Sequence, residues 1–412
     1  MTKRGRANIQ TRMRRYRVLL VAAAGLLLHG AAEGQIDPEK RELIEAGGNQ
    51  AVLGAAPLDA YGFYYLNEPN FFHTNVTLRL ALAPVYLDTE TGFVGLLGPQ
   101  TDLGIGLAGG GFADSYFQFL DGKYLPDESF YGHDVEGSVS VYHLFNPGKL
   151  IPLNGVLRIK EHYSAYEPIE SGSGFVLPPD HSTVSWRAGL RWGGREPRLR
   201  PDLAMEISAW YEGQYRTRAG AYGFDGDRDL NEAPQLFWGR ALLIYTFPET
   251  RQRFEVTLTG GGSEQADRLS AYRLGGIMPM TSEFPLMIPG YFDGELSARH
   301  FACFNAQYTL PLDASKRWSL SPIGSVATVD YLPGMAQGGH FNSGAGLGLG
   351  YRSRSGTWEV LASYGYGFEA IRFEGRGGQS LGILVQIDLE AAHPGRPSKL
   401  DDFRGFLREQ LF

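Results

Sequence analysis

The chain has 412 residues, of which 55 are glycine and one is cysteine. A lone cysteine excludes a disulfide framework, and a net charge of −7 spread along the chain gives no sign of nucleic-acid binding. Aromatic residues make up 13% of the chain. Together with the glycine, they favour tightly packed strands with aromatic side chains at membrane interfaces.

Residues 1–34 follow the pattern of a secretory signal peptide. Basic residues between Lys3 and Arg17 precede an apolar run from Val18 to Leu28, and Ala32-Glu33-Gly34 offers a small-residue cleavage site. The run is shorter than the roughly 17–25 residues that a membrane-spanning helix needs. The sequence therefore predicts export followed by cleavage rather than a membrane anchor.

Residues 35–58 form a short periplasmic leader in this interpretation. Asp37 is a helix-capping residue type, Pro38 suits a first helical turn, and Gly47-Gly48 gives a stop signal. These signals predict one short helix from Pro38 to Ala46. Two positions for it stay open, as a plug in the lumen of a barrel or as a loose leader.

Residues 59–390 alternate between apolar and polar side chains in segment after segment. Successive side chains of a strand point to opposite faces, so each segment has one apolar and one polar face. No long apolar run follows the signal, and a bilayer-spanning chain without apolar helices must close its strands into a barrel. The pattern predicts a transmembrane antiparallel up-and-down β-barrel, polar inside. One such segment sets Leu203, Met205, Ile207, Ala209, Tyr211 and Tyr215 against Glu206, Ser208, Glu212, Gln214 and Arg216.

The strand count follows from these segments and from the links between them. Short links alternate with long ones, so the last strand ends on the side of the short, periplasmic turns. An even count then requires one strand more than the alternating segments supply, and the aromatic run from Ala60 to Leu66 is the best candidate. We expect fourteen strands, with twelve and sixteen as alternatives; the long link from Leu87 to Thr101 is where the count is most open. The segments are Val76–Tyr86, Asp102–Phe112, Val135–Phe145, Gly155–Tyr166, Thr183–Gly193, Leu203–Thr217, Leu236–Phe247, Arg253–Gly261, Ala302–Leu310, Ser319–Tyr331, Phe341–Arg352, Trp358–Gly367 and Leu381–Leu389.

Residues 391–412 are expected to form a periplasmic tail. After the prolines at 394 and 397, apolar residues recur with a helical spacing. A docked amphipathic helix and a frayed tail are both open. The apolar positions are Leu400, Phe403, Phe406, Leu407 and Leu411.

Three stretches between Ala271 and Leu389 carry recognisable motifs. The first has a glycine pair at Gly275-Gly276, a loop motif at Pro289-Gly290-Tyr291 and a strand from Phe304 to Leu312 that ends in Pro-Leu. The second is Ser321 to Val326, and the third is the glycine-rich hairpin from Gly344 to Tyr366. They resemble the barrel of the bacterial surface antigen superfamily, which includes outer-membrane assembly (BAM-type) barrels and two-partner secretion pores.

The resemblance implies a loop that enters the lumen, with an arginine that pairs with an acidic residue on the wall. Both positions align with proline here, Pro289 and Pro322, which indicates paired loss of that contact. Losing both members of a buried ion pair can be nearly neutral, whereas losing one is costly. Only Gln35 to Asp59 precedes the barrel in this interpretation, which leaves no room for the periplasmic adaptor domains of assembly barrels. Both departures argue against an insertase.

Residues 263–300 are the longest link. This segment is rich in methionine, proline and phenylalanine and is therefore too apolar to be fully exposed to water. We expect this loop to fold into the barrel and partly occlude it, with Gly275, Gly276, Pro289, Gly290 and Tyr291 at the lumen wall. A surface lid is the alternative. Charged residues on the polar, inward-facing side of the alternation would line the rest of the lumen. They are Arg79, Arg187, Arg191, Glu206, Glu212, Arg216 and Arg240.

Two further patterns are weaker candidates for chemistry. Alternate acidic residues in one long loop suit calcium, but the calcium-loop pattern wants glycine at its sixth position; a solvated acidic loop is the alternative. His162 and Ser164 share a strand face, as in barrel hydrolases, with no third orienting group apparent. The acidic residues are Asp225, Asp227, Asp229 and Glu232.

The sequence thus predicts a non-enzymatic outer-membrane barrel of the surface-antigen type, without a cofactor. It would act in the outer-membrane bilayer as a scaffold or conduit for protein or small solutes, with a periplasmic or secreted protein as its unidentified partner. A general solute porin is the alternative, and a membrane-embedded hydrolase is the least favoured reading.

Overall fold

The computed structural model describes residues 36–54, 56–57, 59–169, 171–195, 201–279, 282–372 and 375–392. Strands dominate this part of the chain, and its single short helix is α1, Leu389–Ala392. The strands are β1 Arg41–Ala51, β2 Asp59–Glu68, β3 Val76–Ala83, β4 Tyr86–Phe93, β5 Thr101–Gly110, β6 Tyr116–Leu120, β7 Lys123–Leu144, β8 Leu153–Pro168, β9 Phe175–Val176, β10 His181–Gly194, β11 Leu203–Arg216, β12 Gly220–Phe224, β13 Arg228–Leu230, β14 Gln235–Thr246, β15 Arg253–Glu264, β16 Tyr272–Leu274, β17 Leu296–Pro311, β18 Trp318–Tyr331, β19 Phe341–Arg352, β20 Trp358–Arg372 and β21 Gly375–Asp388.

Sixteen of these strands form a closed antiparallel barrel; β6, β9, β12, β13 and β16 lie outside the wall. Each wall strand pairs with its neighbour in the chain, and β1 closes the ring by pairing with β21, from Leu43 opposite Asp388 to Ala51 opposite Ser380. The antiparallel barrel is confirmed; the expected count of fourteen strands is wrong, and the alternative of sixteen is the one observed. The two additional strands are β1 and β4.

The helix expected from Pro38 to Ala46 is wrong, because the part of this segment from Arg41 onward forms the first half of β1. The local start signal does operate, since the backbone N–H of Glu39 donates to Asp37 Oδ1 at 3.0 Å. Helix signals are a weak prior that tertiary contacts override. Here the backbone finds partners on both sides, in β2 and in β21, so strand pairing determines the outcome.

Strand β4 occupies the link from Leu87 to Thr101, where the count was most open. It follows β3 after a tight turn, with Ala83 opposite Tyr86. Its outward face carries Thr89 and Thr91 rather than a continuous apolar row, while Asp88 and Glu90 line the lumen. Because these two threonines interrupt the outward row between Leu87 and Phe93, the continuous apolar alternation that revealed the other strands is missing.

The barrel wall is apolar outside and polar inside. On β10, Trp186 and Leu190 have exposed fractions of 40% and 52%, whereas Ser185, next to Trp186 in the chain, is 1% exposed. Soluble monomers rarely expose continuous apolar bands, so hydrocarbon is the solvent that suits this exterior. Among the described residues, no helix combines the length and apolarity needed to cross a bilayer.

One end of the barrel, the long-loop end, carries a cap; the opposite end, the short-turn end, carries the short links between strands, residues 36–40 and α1. The cap contains the small sheet β9–β12–β13 and a buried hydrophobic cluster of three aromatic residues, Tyr116, Phe130 and Tyr222, with Leu230. Arg228 ties the cap together by pairing with Glu128. The expected signal peptide and the tail beyond residue 392 lie outside the described residues.

Candidate functional site

The candidate site is built around residues 275–279 and 282–295, the described part of the segment that connects β16 to β17. We call residues 275–295 the lumen loop. Its residues line the same internal chamber as residues of the barrel wall. Four anchors hold the loop, on two sides of the lumen. The first is at its start, where the backbone N–H groups of Ile277 and Met278 donate to Asn49 Oδ1 at 3.2 and 2.9 Å. Their side chains pack on Leu361 and Leu384 of the wall.

The second anchor lies on the wall formed by β10, β11 and β14. The Glu283 carboxylate contacts Arg191, and its backbone oxygen accepts a hydrogen bond from Arg240 Nη1 at 2.6 Å. The next residue, Phe284, meets the rings of Trp210 and Trp238 edge-on, with centroids 5.7 and 5.8 Å away. An ion pair and an aromatic contact therefore act on adjacent loop residues.

The third anchor is the Pro289-Gly290-Tyr291 motif, which lies against β19, β20 and β21. The Gly290 N–H donates to Ser380 Oγ at 2.9 Å, and the Tyr291 hydroxyl donates to Asn342 Oδ1 at 3.0 Å. Tyr291 is 1% exposed. Gly290 has φ +87°, and a Cβ there would lie 1.9 Å from the backbone N of Gly367. This close approach requires glycine in the loop.

Glycines on the facing strands make the groove that receives the third anchor. A Cβ at Gly365 would lie 2.7 Å from Pro289 Cβ, and one at Gly344 would lie 2.3 Å from the Pro289 carbonyl oxygen. Real side chains do not fit at such distances. The glycine-rich hairpin of the sequence is thus explained by the loop that lies on it, since side chains in its place would exclude the loop from the wall.

The fourth anchor is a buried ion pair between Glu295 at the loop end and Arg372 on β20. Arg372 Nη1 and Nη2 bond the two carboxylate oxygens at 2.9 and 3.0 Å, and Nη2 also donates to the Gly290 carbonyl at 3.1 Å. The Glu295 and Arg372 side chains are 0% and 4% exposed. Burial raises the pKa of Glu295, and the two bonds from Arg372 oppose that shift.

This ion pair corrects the sequence interpretation of the loop contact. Pro322, which was aligned with the acidic wall position, is exposed on the outer face of β18 and points away from the lumen. Ser321 and Ser325, at the opposite parity of the same strand, face inward, and Ser325 Oγ donates to the Met287 carbonyl at 3.0 Å. A loop-to-wall ion pair is therefore present, with the acid on the loop and the arginine on the wall.

A carboxyl pair near the first anchor makes loop docking sensitive to pH. The pKa of Asp293 is raised to about 7 by burial and by the nearby Asp59, to which it is hydrogen-bonded. A folded pKa above the ordinary value of 3.8 stabilises the docked loop at low pH, and this contribution is lost as pH rises from about 4 through 7. We expect hydrogen-exchange protection of residues 275–295 to fall between pH 5 and pH 8.

The Asp293→Asn variant checks this expectation, because it removes the titrating group while keeping its size. Protection corrected for the intrinsic exchange rate should become nearly independent of pH in this range. Asp229→Asn, at an exposed carboxylate on β13 of the cap, is the matched control and should keep the wild-type slope. An unchanged slope in Asp293→Asn would show that another group controls docking.

The chamber under the lumen loop extends towards the short-turn end and has a volume of about 1020 Å³. Five of the seven predicted lumen charges line it or lie beside it, and the other two are also directed inward. Glu212 pairs with Arg187 at 2.7 Å, and Arg216 pairs with Asp267 near the cap. Ile36, the first described residue, packs inside the barrel against Tyr142 and Trp210. The lining charges are Arg79, Arg187, Arg191, Glu206 and Arg240.

The structure does not arrange His162 and Ser164 for nucleophilic catalysis. Asp114 Oδ2 accepts from Ser164 Oγ at 2.5 Å and lies 2.7 Å from His162 Nε2. A serine nucleophile needs the histidine as its immediate base, whereas here the carboxylate stands between them. The third group that sequence inspection did not find, Asp114, therefore argues against a hydrolase.

One group of described residues has ligand atoms close enough for a metal ion: those of Asp114, Asp134 and His162 lie within 4.8 Å of one another. Asp114 already bonds His162 and Ser164, and the Gly110 N–H donates to Asp134 at 2.9 Å. The group thus forms its own hydrogen-bonded network. The acidic loop residues that suggested calcium are exposed and are not brought to a common point: Asp225, Asp227, Asp229 and Glu232.

Comparisons with known proteins give a likeness of fold. No family model and no curated protein matches this sequence. CdiB from Acinetobacter baumannii superposes with a TM-score of 0.53 at 13% identity, over 85% of this chain and 60% of that chain. BamA from Haemophilus ducreyi, in a form lacking POTRA domains 1–3, gives 0.53 at 11% identity, over 85% and 70%. CdiB from Escherichia coli gives 0.52 at 11% identity, over 85% and 63%.

These comparisons confirm the barrel fold that the sequence resemblance implies. The identities are too low to carry more than the fold. The matched region spans about 60% of the length of the first of these CdiB chains. The comparison therefore concerns the barrel and not the rest of that protein.

Proposed function

We propose that this protein is a non-enzymatic outer-membrane barrel of the surface-antigen type and that it acts as a gated conduit, with the lumen loop as its gate. The apolar exterior and the signal-like N-terminus support the location. The carrying observation is that the loop crosses the lumen and is held on both sides by noncovalent contacts, Glu283 on one wall and Glu295 on the other. The cargo is protein or a small solute.

The polar character of these anchors favours a gate over a permanent plug. Hydrogen bonds and ion pairs have defined partners that water or a ligand can replace, so their loss can be reversible. The Glu283 side chain is 49% exposed towards the lumen, and the chamber beside it gives room for movement. A client protein at the short-turn end would be the natural partner of such a gate.

A general solute porin is the second candidate. Barrels of sixteen strands are wide enough to leave an aqueous channel, and the lumen carries both signs of charge, as a hydrated pathway does. The two candidates differ in the resting state. A porin rests open, whereas a barrel gated by the lumen loop rests closed.

Single-channel recording in planar bilayers tests the proposal with a reversible tether. A Cβ at Gly382 would lie 2.6 Å from Met278 Cγ, so the two positions are adjacent. Replacing Met278 by the shorter cysteine relieves that contact and leaves two cysteines that can be joined by a disulfide. We expect brief openings in the wild type and in reduced Met278→Cys/Gly382→Cys, and none after oxidation. The single variant Met278→Cys is the control, and the native Cys303 is buried.

Two outcomes would contradict the gate. Large steady openings that oxidation does not change would favour the porin. If neither the wild type nor the reduced variant opens at any voltage, the protein is a static scaffold rather than a conduit.

A further inference from the structure

The second anchor contains a set of residues that the gate alone does not require. We call Arg187, Arg191, Trp210, Trp238 and Arg240 the arginine–tryptophan cluster. It lies on three adjacent strands, β10, β11 and β14, and all its members except Trp238 line the chamber.

Two of the three arginines in the cluster pair closely with acids of the wall, which leaves the third for a carboxylate from outside the wall. Arg240 bonds both oxygens of Glu206, at 3.1 and 2.7 Å. Arg187 bonds Glu212 at 2.8 and 2.7 Å. Arg191 approaches Glu206 only to 3.8 Å, and its close carboxylate partner is Glu283 of the lumen loop. The wall supplies two acids for three arginines, and the loop supplies the third.

The two tryptophans of the cluster hold the Phe284 ring next to the Glu283 carboxylate. The Trp210 and Trp238 rings stack at 6.2 Å with an interplanar angle of 11°. The Phe284 ring meets both edge-on, and the Arg240 guanidinium lies over it at 4.5 Å. An acid followed by an aromatic residue therefore fits the site.

Several donors of the cluster remain unused while Glu283 and Phe284 occupy it. The indole Nε1 atoms of Trp210 and Trp238 and the Nε atom of Arg191 are buried without a hydrogen-bond acceptor among the described residues. Trp210 is 6% exposed. Buried donors without an acceptor are costly, so a ligand with further acceptors would bind here more favourably than the loop does.

We propose that the arginine–tryptophan cluster binds an acidic peptide segment, an acidic residue followed by an aromatic one, which reaches it through the chamber. Glu283 and Phe284 occupy the site in its absence, so the peptide displaces the second anchor of the lumen loop. The inference rests on the proposed conduit function and adds a recognition step to it, in which a segment of the cargo or of its partner releases the gate.

Calorimetric titration of the detergent-solubilised full chain with N-acetyl-Glu-Phe-amide tests the proposal. N-acetyl-Gln-Phe-amide is the neutral control ligand and should bind at least tenfold more weakly, because charge-assisted hydrogen bonds are lost. Glu283→Gln weakens the internal competitor and should tighten peptide binding about tenfold. Glu264→Gln, an exposed glutamate away from the cluster, should leave the affinity unchanged.

Arg191→Gln should abolish peptide binding without leaving a wall acid unpaired, because Glu206 keeps Arg240. Thermal unfolding of each variant verifies that it is folded. The proposal is overturned if Glu283→Gln gains no affinity over the wild type, if both peptides bind equally, or if acetate binds as tightly as the peptide. If the peptide binds but the channel recordings show no openings, the binding site is kept and the gate is rejected. Failure of the binding site and failure of the proposed gate are therefore distinguishable.

Discussion

Replacing Arg372 by alanine is expected to destabilise the folded barrel by about 3–5 kcal/mol, because the change leaves the fully buried Glu295 carboxylate without its partner. The same change removes a donor to the Gly290 carbonyl, which lies in the third anchor. Loop docking and barrel stability should therefore fall together. The measurement is the free energy of unfolding in urea, in detergent micelles, with hydrogen exchange at residues 275–295.

The exposed ion pair between Arg299 and Asp330 provides the matched control. Its side chains are 48% and 44% exposed, so Arg299→Ala should cost only about 0–1 kcal/mol. A double variant, Arg372→Met with Glu295→Leu, should cost less than Arg372→Ala alone, because no charge is left buried. Equal costs for Arg372→Ala and Arg299→Ala would show that Glu295 does not depend on its arginine.

Replacing Gly365 by valine is expected to expel the third anchor from the wall. The new Cβ would lie 2.7 Å from Pro289 Cβ and 2.9 Å from the Gly290 backbone N. Forcing atoms into a packed site costs about 1–3 kcal/mol or more, and the loop can avoid that cost by leaving the groove. Protease cleavage within residues 275–295 should increase strongly, while the barrel stays folded.

Gly137→Val is the control for this substitution. Gly137 is exposed on the outer face of β7, and a Cβ there meets nothing within 4 Å. Valine suits a strand that faces lipid, so this variant should leave both loop protection and stability unchanged. A loop that remains protected in Gly365→Val would mean that the glycine groove does not hold it.

The barrel wall could be predicted from the sequence because the alternation of its strands is a local property. The two missed strands show where that signal ends. β1 contains a glycine pair and is preceded by helix-capping signals, and its pairing depends on β21 at the far end of the chain. β4 has polar residues on both faces. In both cases the information lies in pairing partners rather than in the segment itself.

The candidate site was predictable in outline only. The apolar composition of residues 263–300 indicated a loop in the lumen, but its partners are distant in sequence; Glu295 and Arg372 are 77 residues apart. Motif alignment placed Pro322 inward because it ignored strand parity. Trp210 gave a usable signal, since an indole occupies the polar parity of its strand. Such an exception to the alternation indicates a contact inside the lumen.

The mean single-channel conductance of a loop-shortened variant tests the gate most directly. Residues 277–291 are replaced by a short glycine–serine linker, which removes the first three anchors and leaves the wall strands intact. We predict a large, steady conductance in this variant, whereas the wild type should show only brief openings. A shortened barrel that stays as closed as the wild type would contradict the claim that the lumen loop closes the barrel.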